Sequence, residues 1–228
     1  MVTLSRRASA RPIDPRLRWL VLAPHPDDET LGAGAIIAQA AEKGRLAGVA
    51  YLTNGSASHD LGPDRRADLV VTRKREASAA LRRLTGRLAP RPIHLDWNDA
   101  RPERSGSALF DSSRRRLGAL IARRGVTAIA VTALNEPHCD HRAAAELAYL
   151  CASDAGHHVS VFEYLVWSEK PSTGMASYVT AEMRIGVRRQ ALAKHRSQLT
   201  GLMGDGFRLP RERLSMPSRD MLFRRLKR

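Results

Sequence analysis

Two short stretches of the chain concentrate side chains that bind metals and move protons. His25-Pro26-Asp27-Asp28-Glu29 places one imidazole and three carboxylates within five positions, and His138-Cys139-Asp140-His141 places two imidazoles, a thiol and a carboxylate within four. Two His and one carboxylate, with a fourth position left to water, form a common catalytic zinc arrangement. Such a metal lowers the pKa of its bound water from about 15.7 to about 7, so hydroxide is available near neutral pH to attack a carbonyl. A carboxylate that is not a ligand can take up the proton and pass it on. Asp27 and Asp28 are neighbours whose side chains diverge, so the economical division makes one of them a ligand and the other a base. Alone, His-Pro-Asp reads as a turn, and acidic residues before Thr30 read as a helix cap that complements the helix dipole. Both clusters together point instead to one site drawing on His25, Asp27, Asp28, His138, Asp140 and His141. Cys139 reads as a bystander thiol, because its neighbours already supply enough ligands.

The clusters lie more than a hundred residues apart, so the fold has to bring them together. Apolar runs at 17–23, 46–53, 91–97, 126–134 and 159–167 alternate with helical patterns at 30–43, 66–84, 108–124 and 141–153. Gly44, Gly86 and Gly125 act as helix stop signals. This alternation predicts an α/β fold: a Rossmann-like, doubly wound, mainly parallel sheet of about five strands with helices on both faces. Each cluster follows an expected parallel strand, at the edge where such sheets bind ligands. After Trp167 the alternation breaks into a candidate antiparallel edge strand at 177–183, a helix at 184–199 and a stretch rich in Gly, Pro and Arg. The expected organisation is a basic N-terminal arm (1–16), a catalytic domain (17–200) and a loosely packed basic C-terminal extension (201–228).

Composition narrows the function classes. At 228 residues and 43% hydrophobic content the chain suits one domain with a substantial core. No apolar run approaches the ~20 residues of a membrane span, and residues 1–11 lack the apolar segment of a secretory signal. Two Cys do not make a disulfide framework, so a cytoplasmic location is expected. The net charge of +15 is concentrated in arginines at both ends, but aromatics make up only 5% of the chain. Single-strand binding needs aromatic stacking platforms, so a solvated basic surface is expected rather than a nucleic-acid partner. Gly32-Ala33-Gly34 is not a dinucleotide fingerprint: the acidic cluster separates it from its strand, and the second strand ends in Thr53-Asn54 rather than an acidic residue.

Ala23-Pro24-His25-Pro26-Asp27-Asp28-Glu29-Thr30-Leu31-Gly32 closely resembles the (A)HPDDE signature of the LmbE-like, or PIG-L, deacetylases, and His138-Cys139-Asp140-His141 resembles their H-P-D-H, with Cys139 in place of Pro. Looser likenesses are Thr53-Asn54-Gly55, Arg73-Lys74-Arg75-Glu76, Asp99 and His195-Arg196-Ser197-Gln198, so the resemblance spans roughly residues 17 to 200. It implies a Rossmann-like hydrolase with one zinc per chain, although His/carboxylate sites also accept other divalent metals. The implied reaction removes an acetyl group from an N-acetylglucosamine-type sugar or glycoconjugate. By the resemblance, His25, Asp28 and His141 bind zinc and Asp27 is the general base. His138 stabilises the oxyanion or acts as general acid, Asp140 orients it, and Arg73 and Asp99 contact sugar hydroxyls. The contrasting expectation is a non-catalytic or nucleic-acid-associated protein of the same fold that uses its Arg-rich ends.

Overall fold

The structure, a computed structural model, describes residues 10–88 and 90–226. Most of the expected N-terminal arm, residues 1–9, therefore lies outside the described residues, as do 227–228. The helices are α1 (Asp28–Glu42), α2 (Pro63–Thr85), α3 (Ala108–Arg124), α4 (Cys139–Asp154), α5 (Val187–Leu192) and α6 (Arg196–Leu199). The strands are β1 (Arg11–Pro12), β2 (Trp19–Ala23), β3 (Leu46–Thr53), β4 (Ile93–Trp97), β5 (Ala128–Thr132), β6 (Ser160–Tyr164), β7 (Met175–Val179) and β8 (Met221–Arg225). They form one sheet in the order β1-β7-β8-β6-β5-β2-β3-β4.

Strands β2 to β6 are parallel to one another, as the alternation with helices predicts. From β2 the chain steps outward through β3 to β4 and then returns to lay β5 on the other side of β2. The strand order therefore reverses between β2 and β5, and in open α/β sheets ligands bind at such a switch point, beyond the carboxyl ends of the strands. β2 is buried throughout because it packs on both faces. Trp19, Val21 and Ala23 join a cluster with Ile36 and Ile37 of α1 and Ala77 and Leu81 of α2. Leu20 and Leu22 join an opposite cluster with Leu117 of α3 and Leu147 of α4.

The sheet has eight strands: the five expected parallel ones, β1 from within the expected N-terminal arm, β7 near the expected edge strand, and β8 from the C-terminus. Residues 221–225, expected in a loose extension, form β8, which inserts between β6 and β7 and runs antiparallel to both. β7 is consequently not an edge strand, since β1 pairs with its far side. The arginines of this stretch are held on aromatic rings: Arg224 lies 5.1 Å from the Tyr178 ring centroid, Arg225 5.5 Å from that of Tyr149, and Arg213 5.2 Å from that of Trp167. Each guanidinium thus makes a cation–π contact within the molecule. The helix expected over 184–199 is instead two short helices, broken around His195, whose side chain turns inward and is 1% exposed.

The helix–sheet contact that carries the first cluster is close. A Cβ added to Gly32 would lie 2.0 Å from a Tyr164 ring carbon, so only glycine lets α1 rest on β6 at that point. A Cβ at Gly34 would instead meet the Arg188 side chain at 2.7 Å. Arg188 is buried and ion-paired with Asp220, whose other carboxylate oxygen accepts the Ile36 N–H at 2.7 Å. Burial lowers the Arg188 pKa to about 10. The pair ties the C-terminal strand to α1 and α5, and Asp220→Ala would leave a buried guanidinium without its counter-charge. That substitution is expected to lower stability by about 3–5 kcal/mol in urea denaturation. A loss below about 1 kcal/mol, the value of an exposed ion pair, would contradict this role.

Candidate metal centre and catalytic pocket

Two loops leave adjacent parallel strands at the same sheet edge. The loop after β2 is pinned by Pro24, whose carbonyl accepts both the Thr53 N–H at 2.9 Å and the Thr53 hydroxyl at 3.1 Å. The His25 N–H donates to Asp28 Oδ2 at 3.0 Å, which turns the loop into the first turn of α1. The loop after β5 ends at His138, the N-cap of α4, whose Nδ1 accepts the Asp140 N–H at 3.2 Å. Asp140 and His141 thereby occupy the first turn of α4 and are fully buried. The two sequence clusters meet: the ring centroids of His25, His138 and His141 lie 4.8 to 5.3 Å apart.

Asp28 Oδ2 sits 3.1 Å from His25 Nδ1 and 3.3 Å from His141 Nε2. A zinc ion bonded to N and O ligands at about 2.0–2.2 Å in a tetrahedron separates neighbouring ligand atoms by about 3.4 Å. The three side chains therefore form a group that could hold a metal ion. The other ring nitrogens face the partners that a metal-bound imidazole requires. His25 Nε2 lies 3.0 Å from Asp140 Oδ2 and 3.2 Å from Asp99 Oδ1, and His141 Nδ1 lies 3.3 Å from Glu136 Oε2. Neither nitrogen of the buried His141 ring has a well-formed hydrogen bond. Its Nε2, turned toward Asp28 and the His25 ring, is therefore open to a metal ion. A second grouping, His25 with His138 and Asp140, shares His25 with the first. In that grouping His138 is half-exposed, whereas the side chains of the first are largely or fully buried, so the first grouping fits a metal better. Cys139 belongs to neither grouping, and burial raises its thiol pKa.

The electrostatics follow from this packing. Burial alone would lower the His25 pKa, but hydrogen bonds to Asp140, Asp28 and Asp99 outweigh it and hold the group well above its ordinary value. Burial likewise opposes the charge on His141, and Asp28 and Glu136 reverse the effect, raising its pKa to about 9. The neighbouring carboxylates separate. Burial raises Asp28, but the two imidazoles overcome that and hold it well below the usual carboxylate range. Burial pushes Asp27 up to about 6, with Arg73 opposing and the Asp28 charge adding to the rise. Two adjacent carboxylates whose environments drive their pKa values apart are suited to different tasks. Burial and the charges on His25 and His141 lower the His138 pKa.

A cavity of about 240 Å³ opens over these groups and is lined by Asp27, Asp28, His25, His138, Arg73 and Asp99. All eight site residues expected from the sequence are therefore in or against one cleft. Arg73 and Asp99 are strongly engaged within the protein. Arg73 donates to the Gly55 carbonyl at 3.0 Å and the Pro26 carbonyl at 2.9 Å, and Asp99 Oδ2 accepts the Ala57 N–H at 2.9 Å. The remaining wall holds Ser58, Gln198, Trp167 and Phe207, with the two aromatic rings perpendicular at 6.1 Å.

Glu136 is the group that the sequence patterns did not single out. Its carboxylate faces His141 and also accepts the backbone N–H groups of Val166 (2.8 Å) and Trp167 (3.0 Å). Its only local signal is an acidic residue five positions before His141 in the loop after a central strand. Replacing Glu136 with Gln is expected to weaken metal retention by about 10–100-fold, the usual effect of losing an outer-shell carboxylate. Competition with a chelator measures this, and unchanged retention would show that Glu136 does not support His141.

Comparison with known proteins identifies a family and a shared fold. A family model described as PIG-L, GlcNAc-PI de-N-acetylase, matches residues 20–152, more than half of the chain. No curated protein matches in sequence. Among solved structures, N,N'-diacetylchitobiose deacetylase from Pyrococcus horikoshii aligns with a TM-score of 0.62 at 20% identity, covering 80% of this chain and 70% of its own. The zinc-inhibited form of a teicoplanin deacetylase aligns with a TM-score of 0.60 at 21% identity, covering 82% and 87%. A 4-carboxy-2-hydroxymuconate hydratase from Pseudomonas putida also aligns, with a TM-score of 0.61 at 19% identity and 80% coverage of both chains. At these identities the neighbours establish the fold, and the hydratase among them shows that the fold alone does not fix the reaction.

Proposed function

The chain belongs to the PIG-L family, and we propose that it is a zinc-dependent N-deacetylase that hydrolyses the acetamide of an N-acetylglucosamine-type sugar or glycoconjugate to acetate and a free amine. The observation that carries this reading is the meeting of His25, Asp28 and His141 at one metal-sized point beside the unliganded Asp27. Those three residues would hold the zinc. When bound, zinc supplies Lewis acidity to the amide carbonyl and acidifies water.

The remaining chemistry belongs to the chain. Asp27, buried and lining the pocket, takes the proton of the attacking water. His138 faces the same cavity. With Nδ1 occupied by the Asp140 N–H, its other nitrogen can carry a proton toward the tetrahedral oxyanion. The Asp140 carboxylate holds His25 and its backbone N–H holds His138, so one residue sets the orientation of both. Collapse of the tetrahedral intermediate breaks the C–N bond, and the amine leaves with a proton returned from the pocket. Arg73 and Asp99 border the space for the sugar, where their free edges would meet hydroxyl groups. No helix among the described residues is long and apolar enough to cross a membrane. Both cysteines are free, which is compatible with a reducing, cytoplasmic setting for the reaction. The family match favours this hydrolytic reading over a nucleic-acid-associated one.

The test is amine release from N-acetylated amino sugars by metal-loaded protein, with the bound metal quantified. Asp27→Asn is expected to retain its zinc and lose about 10²–10⁴-fold in kcat. Asp27 must be ionised to accept a proton, so activity falls as pH drops through its pKa, which is about 6 with no metal charge nearby. Zinc pulls that value down, so the acid limb of the wild-type profile is expected at or below about pH 6 and is absent from the residual activity of Asp27→Asn. Full activity in Asp27→Asn, or an acid limb above about pH 7, would contradict the assignment.

A further inference from the structure

Asp27 has a backbone conformation that a residue with a side chain rarely adopts: φ is 136° and ψ is −30°. Such conformations persist only where the surroundings over-determine them, and they cluster at functional sites. The surroundings here are specific. The Asp27 N–H donates to Glu29 Oε2 at 2.9 Å, and its carbonyl accepts the N–H groups of Thr30 at 2.9 Å and Leu31 at 3.0 Å. The preceding carbonyl, that of Pro26, is held by Arg73.

Glu29 completes this arrangement from below. It sits in the first turn of α1, where an acidic side chain would ordinarily point to solvent and complement the helix dipole, yet it is 0% exposed. Its second oxygen accepts the Thr30 hydroxyl at 2.7 Å and lies 3.3 Å from His195 Nε2. His195 is 1% exposed and arrives from the break between α5 and α6. A buried carboxylate needs a paired partner, and His195 is placed to provide it. The segment carrying His195 is itself fixed, because the next residue but one, Ser197, donates its N–H and hydroxyl to Glu76 at 2.8 and 2.6 Å.

We propose that Glu29, seated on His195, is a positioning residue that clamps Asp27 in its left-handed conformation and so aims the base carboxylate into the pocket. Glu29 does not line the cavity and would act on the reaction only through Asp27. The inference rests on the reading of Asp27 as the base. It explains the inward turn of His195, which breaks the expected C-terminal helix, and it gives a fully buried carboxylate a function beyond starting α1.

A double-mutant cycle on the zinc-loaded full chain tests the clamp. Glu29→Ala is expected to lower kcat by at least about tenfold, since misplacement of a catalytic group by about 1 Å can cost a hundredfold. Zinc content and KM stay as in the wild type. Glu29→Gln, whose amide oxygen can still accept the Asp27 N–H, recovers part of the loss. In an Asp27→Asn background the same Glu29 substitution changes the residual kcat by less than about twofold, because the partner through which it acts is gone. An equal loss in both backgrounds, loss of zinc, or a rise in KM alone would overturn the proposal. If Glu29→Ala does not fold, His195→Gln in the same two backgrounds is read by the same criteria. A crystal structure of either variant decides the geometry independently of activity: Asp27 is expected to leave positive φ, and its retention there would overturn the clamp. A wild type that hydrolyses no N-acetylated sugar would count against the proposed function and leave this structural outcome to be read by itself.

Discussion

The site depends on a balance of buried charge. Asp27, Asp28, Asp99, Asp140 and Glu136 crowd around two imidazoles in a region with little solvent. Isolated carboxylates do not survive such burial without protonation, pairing or a cation. His25 is drawn into contact with three of them and is held in its charged form as a result. A divalent cation held by His25, Asp28 and His141 would relieve the same crowding while leaving both imidazoles neutral. With it bound, Asp140, Asp99 and Glu136 would serve as outer partners that hold the rings in place. The proposed chemistry and the electrostatic stability of the cleft would therefore rest on the same ion.

The architecture exists to make that crowding possible. β2 and β5 are neighbours only because the strand order reverses between them, and each ends in a loop that enters a helix directly. The candidate metal ligands are thus split between the β2–α1 loop (His25), the first turn of α1 (Asp28) and the first turn of α4 (His141). Close contact of Gly32 with Tyr164 and the Arg188–Asp220 pair keep α1 seated. The C-terminal strand takes part in this, since Asp220 begins the segment that inserts between β6 and β7.

Much of this was legible in the sequence because it is written locally. Apolar runs of strand length alternate with helical periodicity, and both reactive clusters sit just after such runs, so the parallel core and the meeting of His25 with His141 follow from pattern and topology. What was missed depends on contacts between distant residues. The Met-Leu-Phe-Arg-Arg of β8 carries too much charge to read as an interior strand, and it becomes one because Arg224 and Arg225 cover the rings of Phe162, Tyr178 and Tyr149. The periodicity of 184–199 looks continuous, and only the burial of His195 against Glu29 shows why the helix breaks. Glu29 reads as an ordinary helix start, and Glu136 as an ordinary loop residue. Their meaning comes from the rings that fold onto them.

The position of the metal tests this account most directly. Zinc soaked into crystals of the wild-type protein and located by its anomalous scattering is expected as a single peak per chain, bonded to His25, Asp28 and His141, with His138 and Asp140 unbonded beside it. A peak bonded instead to His138 and Asp140, or no peak with all these side chains intact and ordered, would contradict it.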